Sequence, residues 1–243
     1  VKPRPRCSAQ APSLLSLASP SPLLLSHVDC GSGVYDRRNH RALVMLYSQF
    51  TNLDQTLKAF DLTLQEHRFL PDVPPLSPSA MLQSYLEEAL LLAATGSEKV
   101  RSEGLIYPVL VEVRRCLKRQ VAVFSGEDFT VDEARGLSGL VDFLLSRSPL
   151  VSTIEAPATV IVEVKKADLA TGLGQCVAEM VAAQLFNQLN GKAIPVVYGV
   201  VSNGTQWRFL NLQDRTVTLD LVDYPLPPVD QLLGFLVWIM QEG

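Results

Sequence analysis

The sequence predicts an α/β fold, a mixed β-sheet flanked by helices. Three observations lead there. Short apolar runs at 120–124, 139–145, 159–164, 195–201 and 206–212 are rich in Val, Ile, Leu and Phe and have strand length. Longer segments at 79–94, 171–189 and 229–241 carry apolar residues at helical spacing. The two kinds alternate along the second half of the chain, as they do where helices cover a sheet.

The chain has 243 residues, enough for one domain of about 200 residues or two small ones. Apolar residues make up 47% and charged residues 19%, so a sizeable core can form and global disorder is excluded. Residues 1–44 differ from the rest: they are rich in Ser, Pro and Leu and hold no acid before Asp29. Pro20 and Pro22 interrupt their apolar stretch, which is too short for a membrane span. Three readings stand for this segment: translated upstream sequence ahead of a start at Met45, a disordered extension, or a targeting peptide. Residues 45–243 are expected to form a single domain, with a helical N-terminal part at 45–95 and the core at 96–243.

From Met45 onward the elements follow in order. Leu53 to Phe60 reads as a short helix with Asn52 as N-cap. Residues 62–64 and 69–70 are extended, and Pro71, Pro74, Pro75 and Pro78 stiffen the linker that follows. The helix at 79–94 is expected to bury Met81, Leu82, Tyr85, Leu86 and Ala89 and to stop at Gly96. Residues 99–119 repeat helical spacing, with Gly104 and Pro108 expected to kink or split the element. Arg114, Arg115, Lys118 and Arg119 crowd its end, either complementing the helix dipole or contacting phosphate.

The sheet begins at 120–124, with Ser125-Gly126 suggesting a turn or bulge before 129–131. The strand at 139–145 and the strand at 159–164 are expected to form an antiparallel pair. The helix at 171–189 then crosses over to 195–201, which is expected to lie parallel to an inner strand. Asn203-Gly204 is a hairpin signal joining 195–201 to 206–212. Residues 216–221 extend the meander, and 229–241 form a terminal helix. No internal repeat and no phosphate-loop glycine pattern is present.

Chemistry concentrates in Thr159-Val-Ile-Val-Glu-Val-Lys-Lys-Ala167. Strand side chains alternate faces, so Glu163 and Lys165 point one way while Val162 and Val164 fill the other. Desolvating each ion of such a pair costs several kcal/mol, on the order of known buried pairs. The pair is therefore either a structural ion pair or part of an active site, and the active site is the expectation. Asp142, on the preceding strand, could come within a few ångströms of Glu163. Two carboxylates so close call for a cation, and an all-oxygen site suits Mg²⁺ or Mn²⁺. Lys166 reads as an outward surface charge. Tyr198 and Trp207 could stack bases but are expected in the core.

This arrangement resembles the PD-(D/E)XK nuclease superfamily, the restriction-endonuclease-like fold with a core in αβββαβ order. The stretches 172–184 (Gly-Leu-Gly-Gln-Cys-Val-Ala-Glu-Met-Val-Ala-Ala-Gln) and 197–210 carry a closer likeness to uncharacterised cyanobacterial proteins assigned to that superfamily. The resemblance implies a Glu in the first core helix, an Asp on the second strand, Glu-x-Lys on the third and a Gln in the next helix. Those roles fall to Glu103, Asp142, Glu163 with Lys165, and Gln175, with Glu179 as a second candidate acid one turn beyond Gln175. Asp142, Glu163 and Glu103 would be the metal ligands. Val141 stands where the superfamily name has Pro, a departure that many members share. The implied activity is Mg²⁺-dependent hydrolysis of nucleic-acid phosphodiesters, with DNA the expected partner and a homodimer in view where both strands are cut.

Composition qualifies that expectation. The net charge is −4, and residues 45–243 hold 15 basic and 23 acidic residues, a net −8. Tight nonspecific DNA binders are commonly basic. An interaction or regulatory protein on the same fold is therefore the competing class, and a small-phosphoester hydrolase with a closed pocket a third. The histidines, at 27, 40 and 67, lie away from the acids, which argues against a His-based zinc centre. Cys116 and Cys176 read as buried free thiols, so a reducing, cytoplasmic compartment is expected.

Overall fold

The computed structural model describes residues 46–93 and 95–242, all within one compact unit, Arg41–Gly243. The expectations for residues 1–44 lie outside the described residues. Seven strands form one mixed sheet: β1 (Thr63–Glu66), β2 (Ala122–Asp128), β3 (Leu140–Ser146), β4 (Ala158–Val164), β5 (Val196–Ser202), β6 (Gln206–Gln213) and β7 (Thr216–Pro225). Their spatial order is β1-β7-β6-β5-β4-β3-β2. β4 and β5 are parallel, as are β1 and β7; the other neighbours are antiparallel.

Helices cover both faces. On one, α1 (Leu53–Phe60) and α5 (Leu173–Leu189) pack Leu57, Val177 and Ala178 against Ile161, Val201 and Leu210. On the other, α2 (Ala80–Ala93), α4 (Tyr107–Cys116) and α6 (Asp230–Glu242) enclose Phe143, Val162, Trp207 and Phe209. Every residue of β4 is buried, which accounts for its near-continuous apolar run. α5 lies so close to the chain ahead of α1 that a Cβ on Gly174 would sit 2.5 Å from the Phe50 carbonyl oxygen. Asn187, near the far end of α5, brackets Ala158: its Oδ1 accepts from the Ala158 N–H at 2.7 Å and its Nδ2 donates to the Ala158 carbonyl at 2.8 Å. α5 is thereby locked in register with β4. With the preceding turn, Leu169–Leu189 is long and apolar enough to cross a membrane, but two thirds of its most apolar stretch is buried within this fold.

The antiparallel β3–β4 pair, the parallel β4–β5 crossover and the hairpin at Asn203-Gly204 match the sequence reading. So does the Asn52 cap, whose Oδ1 accepts from the Gln55 N–H at 3.1 Å. Three details differ. On α2 the buried stripe is Leu82, Leu86, Ala89 and Ala93, whereas Met81 and Tyr85 face outward; with Leu91 and Leu92 also apolar, the sequence offers more than one candidate inner face. β2 continues through Ser125-Gly126 without a register shift: Ser125 pairs with Phe143 and Glu127 with Val141 on either side of Gly126, which takes a positive φ of 66°. Residues 63–66 form a true edge strand, parallel to β7. The split at Gly104 and Pro108 takes the form of α3 (Glu98–Arg101), a π-helical turn (Ser102–Ile106) and α4, with Pro108 in the first turn of α4, where its missing N–H costs nothing.

Candidate functional site

Sheet register builds the site. The β3–β4 ladder pairs Phe143 with Val162, and one step further Asp142 faces Glu163. There the side chain replaces the backbone: Asp142 Oδ2 accepts the Val164 N–H at 2.8 Å. Glu163 is 1% exposed and pairs with the Lys165 ammonium through Oε1. The backbone N–H of Lys165 donates to the Ser202 carbonyl at 2.9 Å, so β5 holds the lysine at the end of β4. The stem of Lys165 runs over Gly172: a Cβ there would lie 3.0 Å from Lys165 Cγ and 3.1 Å from Cε.

α5 supplies the other wall. Gln175 Oε1 lies 3.5 Å from Lys165 Nζ, and Gln175 Nε2 donates to Glu179 Oε1 at 3.0 Å. Glu179 is fully buried. Glu163 Oε2 and Glu179 Oε2 are both buried with no donor to accept from.

Three carboxylates thus share one ammonium, and their proton affinities reflect it. Burial pushes the Glu163 carboxyl up to about 8, helped by the Asp142 charge and opposed by Lys165. Burial also raises Asp142, against the pull of the Val164 N–H and Lys165. Burial raises Glu179 well above the usual range, with Glu163 adding to the effect. For Lys165 burial favours loss of the proton, but Glu163 and Asp142 outweigh it and raise the lysine overall. Beside Glu163 and Asp142, Lys165 therefore favours its protonated form.

Of the five residues singled out from sequence, the structure brings together Asp142, Glu163, Lys165 and Gln175. Glu103 sits in the π turn, largely exposed, paired with Lys99 at 2.6 Å. The helix acid whose charge reaches both Glu163 and Lys165 is Glu98, in the first turn of α3. That helix begins at Glu98, one residue before the start that the apolar spacing predicts. The signal was Ser97, whose Oγ caps Val100 N–H at 3.3 Å, followed at once by an acid. Tyr198 and Trp207 are core residues, the indole N–H donating to the Gly204 carbonyl at 3.2 Å, so neither offers a ring face for stacking. Arg115 is engaged by Glu112, which also holds Ser79 ahead of α2. Cys176 is buried and free; Cys116 is free but only half-buried.

Among the described residues no three His, Cys, Asp or Glu side chains form a ready-made metal cage. Mg²⁺ does not need one: it is commonly held by one or two carboxylates and several waters. A site short of positive charge, with an orphaned buried oxygen on Glu163 beside Asp142, has the donor chemistry for such a hard cation. Compared with protein-family models and with curated proteins, the sequence gives no match.

Proposed function

We propose that the protein is a metal-dependent phosphodiesterase acting on nucleic acid, built on a restriction-endonuclease-like core. One observation carries the reading: a buried Glu163–Lys165 pair with Asp142 opposite, gathered where β3 and β4 stop pairing. The sequence of elements α4-β2-β3-β4-α5-β5 supports it, since it runs in the αβββαβ order of the superfamily that the motif resembles. Asp142 and Glu163 would hold Mg²⁺ or Mn²⁺, with Glu98 contributing negative charge from the rim. The cation would supply charge neutralisation at a phosphate oxygen and a water of lowered pKa.

The remaining work falls to the chain. Lys165, protonated and anchored by its stem and its pair, stabilises charge developing on the phosphate. Gln175 orients the lysine from α5. Cutting both strands of a duplex would require a second copy of the site, hence a homodimer. A non-catalytic interaction protein is the second reading, favoured by the net −8 of residues 45–243.

The deciding experiment incubates the protein with Mg²⁺ or Mn²⁺ and duplex, single-stranded and branched DNA and RNA, beside Asp142→Ala and Lys165→Ala. Metal-dependent cutting lost in both variants supports the nuclease. No cutting, and no metal binding by calorimetry, turns the assignment to the interaction protein.

A further inference from the structure

We infer that Glu179 is a positioning residue, which sets the place of the Lys165 ammonium by fixing the orientation of the Gln175 amide. Its consequence for catalysis rests on the phosphodiesterase reading; the positioning itself does not.

Gln175 stands between two polar groups, the Glu179 carboxyl one turn along α5 and the Lys165 ammonium at the end of β4. A side-chain amide has a donor end and an acceptor end of nearly the same shape. In one orientation Nε2 donates to Glu179 and Oε1 faces Lys165, so both ends are matched. In the other, an NH₂ group meets the ammonium and repels it, and the 3.0 Å hydrogen bond from Nε2 to Glu179 Oε1 is lost. Glu179 is therefore the group that anchors the matched orientation from the α5 side, through the shorter of the two contacts. With Gln175 fixed, Lys165 is held from three sides: Gly172 beneath its stem, Glu163 at one side of its head and Gln175 at another.

Burial makes this more than an incidental contact. Glu179 is fully enclosed and only one of its oxygens has a donor. Cys176, Val177, Met180 and Ala183 around it on α5 are apolar and buried. An apolar side chain of the same size would fill that space without the desolvation penalty of a carboxylate. What the carboxylate adds, and a methionine would not, is the acceptor for Gln175 Nε2. Glu179 touches neither substrate nor metal in this assignment and acts only through Gln175.

The test uses Glu179→Met, Glu179→Gln and Gln175→Met in the full chain, with thermal melting to establish folding. Accessibility of Lys165 is read as its rate of reductive methylation by peptide mass spectrometry, with Lys192 as internal reference, and the Gln175 side-chain amide is followed by ¹⁵N NMR. Glu179→Met is expected to melt no lower than the parent, shift the Gln175 amide signals and raise Lys165 labelling about threefold to tenfold, the change that one ordinary hydrogen bond makes. Glu179→Gln, which still offers an acceptor oxygen, should stay near the parent. Gln175→Met should match Glu179→Met, and the double variant should add nothing. If Glu179→Met fails to fold, Gln175→Met and Glu179→Gln decide the matter. Unchanged Lys165 labelling in Gln175→Met, or full additivity of the two changes, overturns the inference. A parent protein that cuts no nucleic acid would overturn the phosphodiesterase reading alone, because labelling and NMR need no substrate.

Discussion

Asp142 accepts the backbone N–H of Val164 at 2.8 Å, at the point where β3 and β4 cease to pair as backbones. The same carboxylate therefore has a structural duty and a chemical one, and the two can be separated. Asn at this position keeps an acceptor oxygen, whereas Ala leaves the N–H of buried Val164 without one. Asp142→Ala should lose about 1–3 kcal/mol in urea denaturation, the cost of an unsatisfied buried donor. Asp142→Asn should be as stable as the parent or more so, because it sheds a desolvated charge. Both should bind Mn²⁺ at least tenfold more weakly by calorimetry. An Asp142→Asn variant that keeps parental Mn²⁺ affinity would remove Asp142 from the metal site.

Stability should fall as pH rises through the range set by Glu163. Its carboxyl goes from an ordinary 4.5 up to about 8, and Asp142 and Glu179 move in the same direction. The folded chain thus holds more protons than the unfolded one between those values, and unfolding free energy decreases with pH wherever that is so. The contribution is fully present below about pH 4.5 and gone above about pH 8. The slope from Glu163 alone approaches 1.4 kcal/mol per pH unit. Denaturant titrations from pH 5 to 9 should show the decline, Glu163→Gln should flatten it, and saturating Mn²⁺ should flatten it too by displacing the proton. A parent whose stability is level across that range contradicts the burial argument for Glu163.

Lys165→Met should be tolerated at low pH and penalised at high pH. Removing one member of a buried pair ordinarily costs about 3–5 kcal/mol, because the remaining charge is left uncompensated. Glu163 can avoid that state by keeping its proton, and does so more readily once the lysine is gone. The loss measured at pH 6 should therefore be well below that at pH 9. Adding Glu163→Gln should restore most of the stability lost at pH 9. An equal penalty at both pH values would mean that Glu163 is ionised throughout.

Much of this site could be read from the chain because strand alternation is rigid. Once 159–164 is a strand, Glu163 and Lys165 must share a face, and the antiparallel step to β3 brings Asp142 opposite. Gln175 comes from the family resemblance, which implies a Gln in the helix after the Glu-x-Lys strand; its place at the start of α5 is by itself that of an ordinary polar residue. Helix phase proved harder. Apolar residues on several sides of α2 leave its inner face ambiguous in the sequence, and Met81 and Tyr85, which the spacing predicts to be buried, are exposed. The π turn at Ser102–Ile106 breaks the 3.6-residue period at Glu103, the acid the resemblance implies, and Glu98, outside the expected helix, is the acid whose charge reaches Glu163. The contact from Gln175 to Lys165, between α5 and the end of β4, depends on helix rotation, and the chain marks it with nothing beyond the four-residue spacing of Gln175 and Glu179.

Gly172→Ala tests whether the position of Lys165 matters as much as its charge. Gly172 has ordinary helical angles, φ −96° and ψ −12°, so a side chain costs the backbone nothing there. Space is the obstacle: a Cβ would sit 2.8 Å from Val201 Cγ1 and 3.0 Å from Lys165 Cγ. Val201 is fully buried, so its clash has to be relieved by a shift of the Gly172 backbone, and the lysine stem beside it must give by a few tenths of an ångström. Overpacking of this kind costs about 1–3 kcal/mol. The ammonium should be pushed off Glu163 and Gln175 while the net charge stays the same. If the chain cleaves nucleic acid, turnover should drop at least tenfold with substrate affinity little changed, since the contact matters most as charge develops. Parental turnover in a folded Gly172→Ala variant would show that Lys165 acts as a diffuse charge, for which its exact seat is immaterial.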